Sequence, residues 1–208
     1  MTVPCTGVIL AGGQATRYAG RPKGLERVGG RRIIDRVADV LRACCDDLLL
    51  VANAPDAASW LPGVRVATDV LTDQGSLGGI HAALVHARGP VVVVAWDMPF
   101  VPASLIHALR AAGDHVDAVL AESGSRRGVE PLCAWYAPAC VPAIEQRLQE
   151  GDRRVIGFLD LVRVARIPTD EVARHGVPER IFSNVNTPEE LQLAEDYAAA
   201  ADDRRAQA

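Results

Sequence analysis

The chain alternates short runs of apolar residues with segments in which apolar positions recur every three or four residues. Four apolar runs predict buried strands, at 5–10, 47–53, 64–69 and 90–96. Three periodic segments predict helices, at 32–44, 76–87 and 102–113. The run at 90–96 contains consecutive valines without alternation, so we expect that strand to be buried on both faces. This strand–helix alternation predicts a parallel sheet with right-handed crossovers.

The second half of the chain is spaced less regularly. Strands are predicted at 116–122, 131–137 and 162–168, and helices at 138–151, 153–161 and 187–201. The last helix opens with Thr187, Pro188 and Glu190 in the spacing of a capping box. We expect a three-layer α/β/α fold with a mostly parallel central sheet and some antiparallel strands in this half. Residues 1–201 are predicted to form one domain, and 202–208 a flexible tail.

The composition argues against several classes of protein. With a formal net charge of −4 and no basic stripe, the chain does not look like a binder of nucleic acid or of a membrane surface. The N-terminus lacks the features of a secretory signal, and no stretch has the ~20 apolar residues needed to span a bilayer. The 5 cysteines form no C-x-x-C pair, which argues against a zinc site or a disulfide framework. These features predict a cytoplasmic protein.

A glycine pair and a single lysine mark the first candidate site. Gly12 and Gly13 follow the first predicted strand, and ligands of α/β sheets bind beyond the carboxyl ends of strands. Glycines let backbone N–H groups approach a phosphate closely, and Arg17 adds positive charge to this loop. The stretch fits neither a Walker A loop nor the Rossmann glycine motif. Lys23 is the only lysine of the chain, which indicates a need for a compact ammonium; the alternative is a tight turn with a solvated basic rim.

Three further polar residues lie at the ends of predicted strands. Asp97 directly follows the valine-rich strand, where one carboxylate can hold Mg²⁺ beside the phosphates of a nucleotide. Its alternative role, capping the next helix, fits poorly because that helix begins near Pro102. Asn53 and Asp69 end two other strands and carry groups able to read a base or a ribose. Either one alone is more often an Asx turn, but three polar strand ends beside a glycine loop predict a nucleotide site.

Five motifs follow one another along the chain: GVILAGGQATRYAGRPKG, GSLGGI, WDMPF, GDRRVIGFL and FSNVNTPEEL. As an ordered set they resemble the signatures of the molybdenum cofactor guanylyltransferases, the MobA family. Departures include Trp96, which stands where the family has cysteine before the aspartate, and Ser76, which replaces a frequent proline. The resemblance implies a Rossmann-like fold of the nucleotide-diphospho-sugar transferase type. It places the nucleotide in about the first 115 residues and the pterin in the half from 116 to 201.

The resemblance also implies two sets of site residues. The nucleotide set contains Leu10, Ala11, Gly12, Gly13, Lys23, Asn53, Asp69 and Asp97. Within it, the glycine loop contacts the nucleotide through its backbone, Lys23 binds the phosphates and Asp97 binds Mg²⁺; Arg17 is added as a catalytic contact of the β- and γ-phosphates. The pterin set contains Arg153, Arg154, Asn184 and Asn186. The alternatives for this second set are a solvated helix start for the arginines and turn-forming asparagines before the last helix.

The reaction implied is transfer of GMP from GTP to the terminal phosphate of molybdopterin, with Mg²⁺ as cofactor and pyrophosphate as the second product. The implied partners are GTP and molybdopterin, with transient contact to molybdoenzymes or other cofactor-biosynthesis proteins, and neither nucleic acid nor a membrane. Two enzymatic alternatives keep the fold: a CTP-dependent cytidylyltransferase acting on the same pterin, and a sugar-phosphate nucleotidyltransferase. A non-catalytic carrier of pterin or nucleotide is a third alternative, against which the presence of both Lys23 and Asp97 argues.

Overall fold

The computed structural model describes residues 4–12 and 22–206, which form a three-layer α/β/α fold. The strands are β1 (Thr6–Leu10), β2 (Arg27–Val28), β3 (Arg31–Arg32), β4 (Asp47–Val51), β5 (Arg65–Ala67), β6 (Val91–Ala95), β7 (Ala118–Glu122), β8 (Val129–Tyr136) and β9 (Val164–Ile167). The helices are α1 (Ile33–Cys44), α2 (Gly75–His86), α3 (Ala103–Ala111), α4 (Val141–Gln149), α5 (Thr169–Val172), α6 (Pro178–Ile181) and α7 (Pro188–Ala206).

The central sheet has seven strands in the order β5-β4-β1-β6-β8-β7-β9. β4 and β6 flank β1 in parallel, and β5 and β9 pair in parallel with β4 and β7. Among the described strands of this central sheet, only β8 runs antiparallel to its neighbours, which are β6 and β7. Both expectations, a mostly parallel sheet and antiparallel content in the second half of the chain, are confirmed.

Strand β6 is the middle strand of the sheet, and its valines are buried on both faces as the sequence predicts. Val92 and Val94 pack in one core cluster together with residues of α1, α3 and α7. Val91 and Val93 pack in a second cluster with residues of α2 and α4. A strand that contributes to both cores cannot alternate polar and apolar side chains, because neither face meets water.

The segment 153–161 is a correction to the sequence-based prediction, which made it a short helix. The structure has turns there and a single 3₁₀ turn at Leu159–Leu161. The carboxylate of Asp152 accepts the backbone N–H of Arg154 at 2.9 Å, and Arg147 donates to the carbonyl of Gly157 at 2.9 Å. These side chains satisfy backbone groups that a helix would use, and such local bonding competes with helix formation.

The hairpin of β2 and β3 was not predicted from the sequence. Its two-residue turn is Gly29-Gly30, with φ of 56° and 72°, a left-handed pair that favours glycine. The backbone N–H of Gly29 donates to Glu195 of α7 at 2.9 Å. The hairpin therefore joins the segment that follows Lys23 to the last helix.

The start of α7 follows the prediction, whereas its end does not. The backbone N–H of Glu190 donates to the hydroxyl of Thr187 at 3.2 Å, and its carboxylate accepts the N–H of Thr187 at 3.0 Å, so the capping box is confirmed. The helix continues to Ala206, beyond the predicted end at residue 201. In the part of the chain described, no helix is both long and apolar enough to cross a membrane. All five cysteines are free thiols.

Candidate active site

A cleft of about 900 Å³ opens at the carboxyl ends of β1, β4, β5 and β6. It is lined by seven residues of the predicted nucleotide set: Leu10, Ala11, Gly12, Lys23, Asn53, Asp69 and Asp97. Gly13, the eighth, and Arg17 lie outside the described residues. The sheet brings the strand ends together because ligand sites of parallel sheets form where the strands end.

Backbone hydrogen bonds continue past the strand ends and fix the floor of the cleft. The N–H of Ala11 donates to the carbonyl of Val51 at 2.9 Å, and the N–H of Trp96 donates to that of Leu10 at 3.2 Å. Helix α2 packs closely behind this floor, since a Cβ at Gly79 would lie 2.4 Å from Leu10 Cδ1. The backbone of Leu10 and Ala11 is therefore held rigidly at the bottom of the cleft.

Lys23 and Asp97, which are separated by 74 positions, form an ion pair inside the cleft. Lys23 begins a single 3₁₀ turn, Lys23–Leu25, and its ammonium donates to Asp97 Oδ2. The ammonium also donates to Oδ1 of Asn186, from the loop before α7. The side chain of Lys23 is 17% exposed and that of Asp97 is 8% exposed, so the pair is largely shielded from water. Asp97 forms no side-chain cap on α3, whose N-cap is Pro102.

The loop before α7 holds Asn186 in place through its backbone. The N–H of Val185 donates to the carbonyl of Asp97 at 3.0 Å, which ties this loop to the end of β6. The N–H of Asn186 donates to Glu190 Oε2 at 2.6 Å, the same oxygen that accepts from Thr187. The capping box of the last helix thus also sets the position of a side chain that contacts Lys23.

The oxygen atoms around Lys23 suit a divalent cation. Asp97 and Asn186 present a carboxylate and an amide oxygen, which are hard ligands of the kind that Mg²⁺ and Mn²⁺ take in proteins. None of the described residues donates a hydrogen bond to Asp97 Oδ1. No cluster of three or more His, Cys, Asp or Glu ligands occurs in the described chain, so a cation here would complete its coordination with phosphates and water.

Asn53 and Asp69 form a reciprocal pair at the mouth of the cleft. Asn53 Nδ2 donates to Asp69 Oδ2 at 2.7 Å, and Asn53 Oδ1 accepts the backbone N–H of Asp69 at 2.9 Å. The two strand ends that carry them are adjacent in the sheet, since β4 pairs with β5. Each residue fixes the other, so the remaining oxygen of Asp69 and the backbone around Asn53 are presented to the cleft at fixed positions.

The pterin set does not converge on the cleft as a group. Asn186 contacts Lys23, whereas Arg153, Arg154 and Asn184 are exposed and outside the lining of the cleft. Arg154 is paired with Asp152 at 2.7 Å, and this pairing lowers the pKa of that carboxyl to about 2. Asn184 Nδ2 donates to the carbonyl of Phe182 at 3.2 Å.

An aromatic pair in the wall of the cleft was missed by reasoning from the sequence. Trp60 and Trp96 stack with ring centroids 5.0 Å apart and an interplanar angle of 21°. Trp60 Nε1 donates to Asp56 Oδ2 at 3.0 Å. The available signal was the unusual tryptophan before Asp97, but its stacking partner lies on a different segment of the chain.

Comparisons with known proteins identify similar chains. A family model described as the MobA-like NTP transferase domain matches residues 7–164. A molybdenum cofactor guanylyltransferase of Desulfosudis oleivorans is 38% identical over 194 residues, covering 91% of this chain and 94% of that protein. The crystal structure of molybdopterin-guanine dinucleotide biosynthesis protein A from Archaeoglobus fulgidus is similar with a TM-score of 0.79 and 27% identity, covering 94% of this chain and 99% of that one. A Mycobacterium tuberculosis protein crystallised with manganese shares the fold, with a TM-score of 0.65 and 19% identity over 94% of this chain and 100% of that one.

Proposed function

Because the chain belongs to the MobA-like NTP transferase family, whose model matches residues 7–164, we propose that it transfers GMP from GTP to the terminal phosphate of molybdopterin. The names of its relatives favour guanylyl transfer over the cytidylyl and sugar-phosphate alternatives. In the reaction, a pterin phosphate oxygen forms a bond to the α-phosphorus of GTP. The bond from that phosphorus to the pyrophosphate oxygen breaks, and pyrophosphate leaves.

The observation that carries this proposal is the convergence of Lys23 and Asp97 in one cleft at the carboxyl ends of parallel strands, with Asn186 hydrogen-bonded to the same ammonium. Both reactants are anions, so the chain has to neutralise charge and align two phosphates. An ammonium and a carboxylate side by side provide one group for phosphate oxygens and one for a divalent cation.

The residues divide the work as follows. Lys23 stabilises the charge of the nucleotide phosphates and of the leaving pyrophosphate. Asp97 and Asn186 would hold Mg²⁺, which when bound would neutralise further phosphate charge and orient the phosphates for displacement. No general base is needed, since a phosphate monoester with a second pKa of about 6 is already ionised near neutral pH.

The mouth of the cleft suits the base and ribose of the nucleotide. Asn53 and Asp69 hold each other there by two hydrogen bonds, so little ordering is needed when a nucleotide binds. The hydrogen-bonded backbone of Leu10 and Ala11 forms the adjoining floor, and Gly12 lines the cleft beside it. Gly13 and Arg17 are proposed to extend this contact to the phosphates.

The pterin is proposed to lie on the side of the cleft formed by the second half of the chain. Arg153, Arg154 and Asn184 are exposed to solvent, so a pterin could reach them. This exposure supports the proposal that they bind the pterin phosphate. The second half of the chain reaches the cleft, since Leu132 lines it and Asn186 accepts a hydrogen bond from Lys23. We further propose that the protein works in the cytoplasm and hands its product to molybdoenzymes through transient contact.

Pyrophosphate release tests the function. Purified protein is supplied with molybdopterin or its molybdenum form, Mg²⁺, and GTP, CTP or ATP in turn. We expect release with GTP, and GTP with Mg²⁺ should raise the unfolding midpoint whereas CTP should not. Release with CTP instead would establish the cytidylyltransferase, and nucleotide binding without release would establish the carrier.

Two single substitutions test the proposed roles of Lys23 and Asp97. Lys23→Ala and Asp97→Asn should each lower kcat by about a hundredfold or more, because each removes charge stabilisation of the transferred phosphate. The matched controls are Arg65→Ala and Asp47→Asn, which break an exposed pair of 3.0 Å outside the cleft and should leave kcat unchanged. Full activity of either cleft variant would disprove the role of that residue.

A further inference from the structure

The indole of Trp96 fills the space beside Gly24. A Cβ built on Gly24 would lie 2.4 Å from Trp96 Cε3 and 2.6 Å from Cδ2, both too short for real carbon contacts, and a tight 3.0 Å from Cγ. Gly24 is buried and Trp96 is only 4% exposed, so neither can move toward solvent without loss of packing. The chain of Gly24 therefore rests directly on the ring of Trp96.

The backbone at Gly24 does not itself require glycine. The residue lies inside the 3₁₀ turn Lys23–Leu25, and its φ is outside the left-handed region. Alanine is compatible with such a turn. The three atoms nearest to such a Cβ all belong to the Trp96 ring, so this ring excludes a side chain at position 24.

The ring is anchored on its other contacts. Trp96 stacks on Trp60, whose indole N–H is held by Asp56, and the backbone N–H of Trp96 donates to the carbonyl of Leu10. An extra methyl at position 24 would consequently displace the turn rather than the ring. That turn carries Lys23.

Gly24 and Trp96 are the immediate neighbours in sequence of the two charged residues in the cleft. Gly24 follows Lys23, and Trp96 precedes Asp97. We propose that the contact of Gly24 with Trp96 sets the separation of the Lys23 ammonium from the Asp97 carboxylate, which makes Trp96 a positioning residue for phosphoryl transfer. The proposal rests on the proposed function and adds a requirement to it: position 24 has to be glycine as long as position 96 is tryptophan.

A double-mutant cycle tests the coupling. Gly24→Ala should lower kcat by on the order of tenfold to a hundredfold, since displacing a reacting group by ~1 Å has effects of that size. In the Trp96→Cys background the same substitution should change kcat by no more than about threefold, because the smaller side chain makes room for the methyl group. We expect KM for GTP to change less than kcat. The kcat is calculated per folded molecule, because a loss of folded protein would also lower the apparent kcat at constant KM.

Gly79→Ala is the matched control. Its Cβ would lie 2.4 Å from Leu10 Cδ1, and the three atoms nearest to it all belong to Leu10, so it introduces an overlap in the wall of the same cleft that is not centred on Trp96. Trp96→Cys should not relieve any effect of Gly79→Ala. Relief of both glycine variants would mean that the cysteine merely loosens the cleft, and this outcome would overturn the proposal.

Two results refute the positioning role directly. One is a decrease in kcat on Gly24→Ala by the same factor in both backgrounds. The other is a Gly24→Ala variant that is as active as the unmodified protein. If Gly24→Ala alone does not fold, the test compares the kcat of the double variant Gly24→Ala/Trp96→Cys with that of Trp96→Cys. A kcat of the double variant more than about tenfold lower would overturn the proposal.

The proposed function and the positioning role can fail separately. Unmodified protein that releases no pyrophosphate would refute the function. Crystal structures of the cycle still test the spacing in that case: the hydrogen bond from the Lys23 ammonium to Asp97 should be broken in Gly24→Ala and present again in the double variant. An intact bond in Gly24→Ala would refute the spacing even for an active enzyme.

Discussion

Replacing Lys23 by alanine should destabilise the protein and make its stability depend on divalent cations. The Asp97 side chain is 8% exposed, so the alanine variant leaves a nearly buried carboxylate without its countercharge. Removing one partner of a buried pair costs about 3–5 kcal/mol, and we expect about 2–3 kcal/mol here because Lys23 is 17% exposed. For a chain of this length, 1 kcal/mol corresponds to about 2–4 °C in the unfolding midpoint. The midpoint should fall by about 4–12 °C.

The measurement is thermal unfolding followed by circular dichroism or calorimetry, with EDTA or with millimolar Mg²⁺. Mg²⁺ should restore part of the lost stability in Lys23→Ala, because the cation can supply at Asp97 and Asn186 the charge that the ammonium supplied. The unmodified protein should gain less. Arg65→Ala is the control: its pair with Asp47 is about half exposed and is worth only about 0–1 kcal/mol.

Two outcomes would refute this reasoning at different points. A midpoint in EDTA equal to that of the unmodified protein would show that the Asp97 carboxylate is not buried as the structure has it. A lowered midpoint that Mg²⁺ does not raise would agree with the loss of a buried ion pair, but it would contradict the role of Asp97 as a metal ligand.

Three further predictions concern stability and reactivity. Hydrogen bonds from Arg163 lower the pKa of Asp117 below its usual 3.8, so this carboxylate stabilises the fold above that pH and the stabilisation is lost as pH falls through the lowered pKa; denaturant titrations from about pH 5 to pH 2 should show less acid sensitivity in Asp117→Asn. Thr187→Ala should cost about 1 kcal/mol by removing the cap on Glu190, measured as a shift in the urea midpoint, and an unchanged midpoint would contradict the cap. Burial raises the pKa of the Cys133 thiol, so it should react with a thiol reagent only after unfolding, as mass spectrometry can follow.

Much of the fold was determined by local pattern in the sequence. The consecutive valines of β6 specified a strand buried on both faces, and the Thr187–Glu190 spacing specified the start of the last helix. Both signals report on the burial or the hydrogen bonding of a residue's near neighbours. Segment 153–161 was predicted wrongly because Asp152 and Arg147 form hydrogen bonds with its backbone groups. The hydropathy pattern gives no information about such bonds.

Part of the candidate site could likewise be predicted from the sequence, and part of it could not. The sequence alone marked Lys23 by its uniqueness and Asp97, Asn53 and Asp69 by their place at strand ends, because parallel strands deliver such ends to one edge of a sheet. Only the tertiary structure decided that Asn186 reaches Lys23 and that Trp96 rests on Gly24. These contacts join segments far apart in the chain, and their distances depend on the strand order and on the packing of every element between them. No local sequence pattern encodes the combined effect of strand order and packing. Composition and spacing could therefore identify the charged groups but could not predict the distance between them.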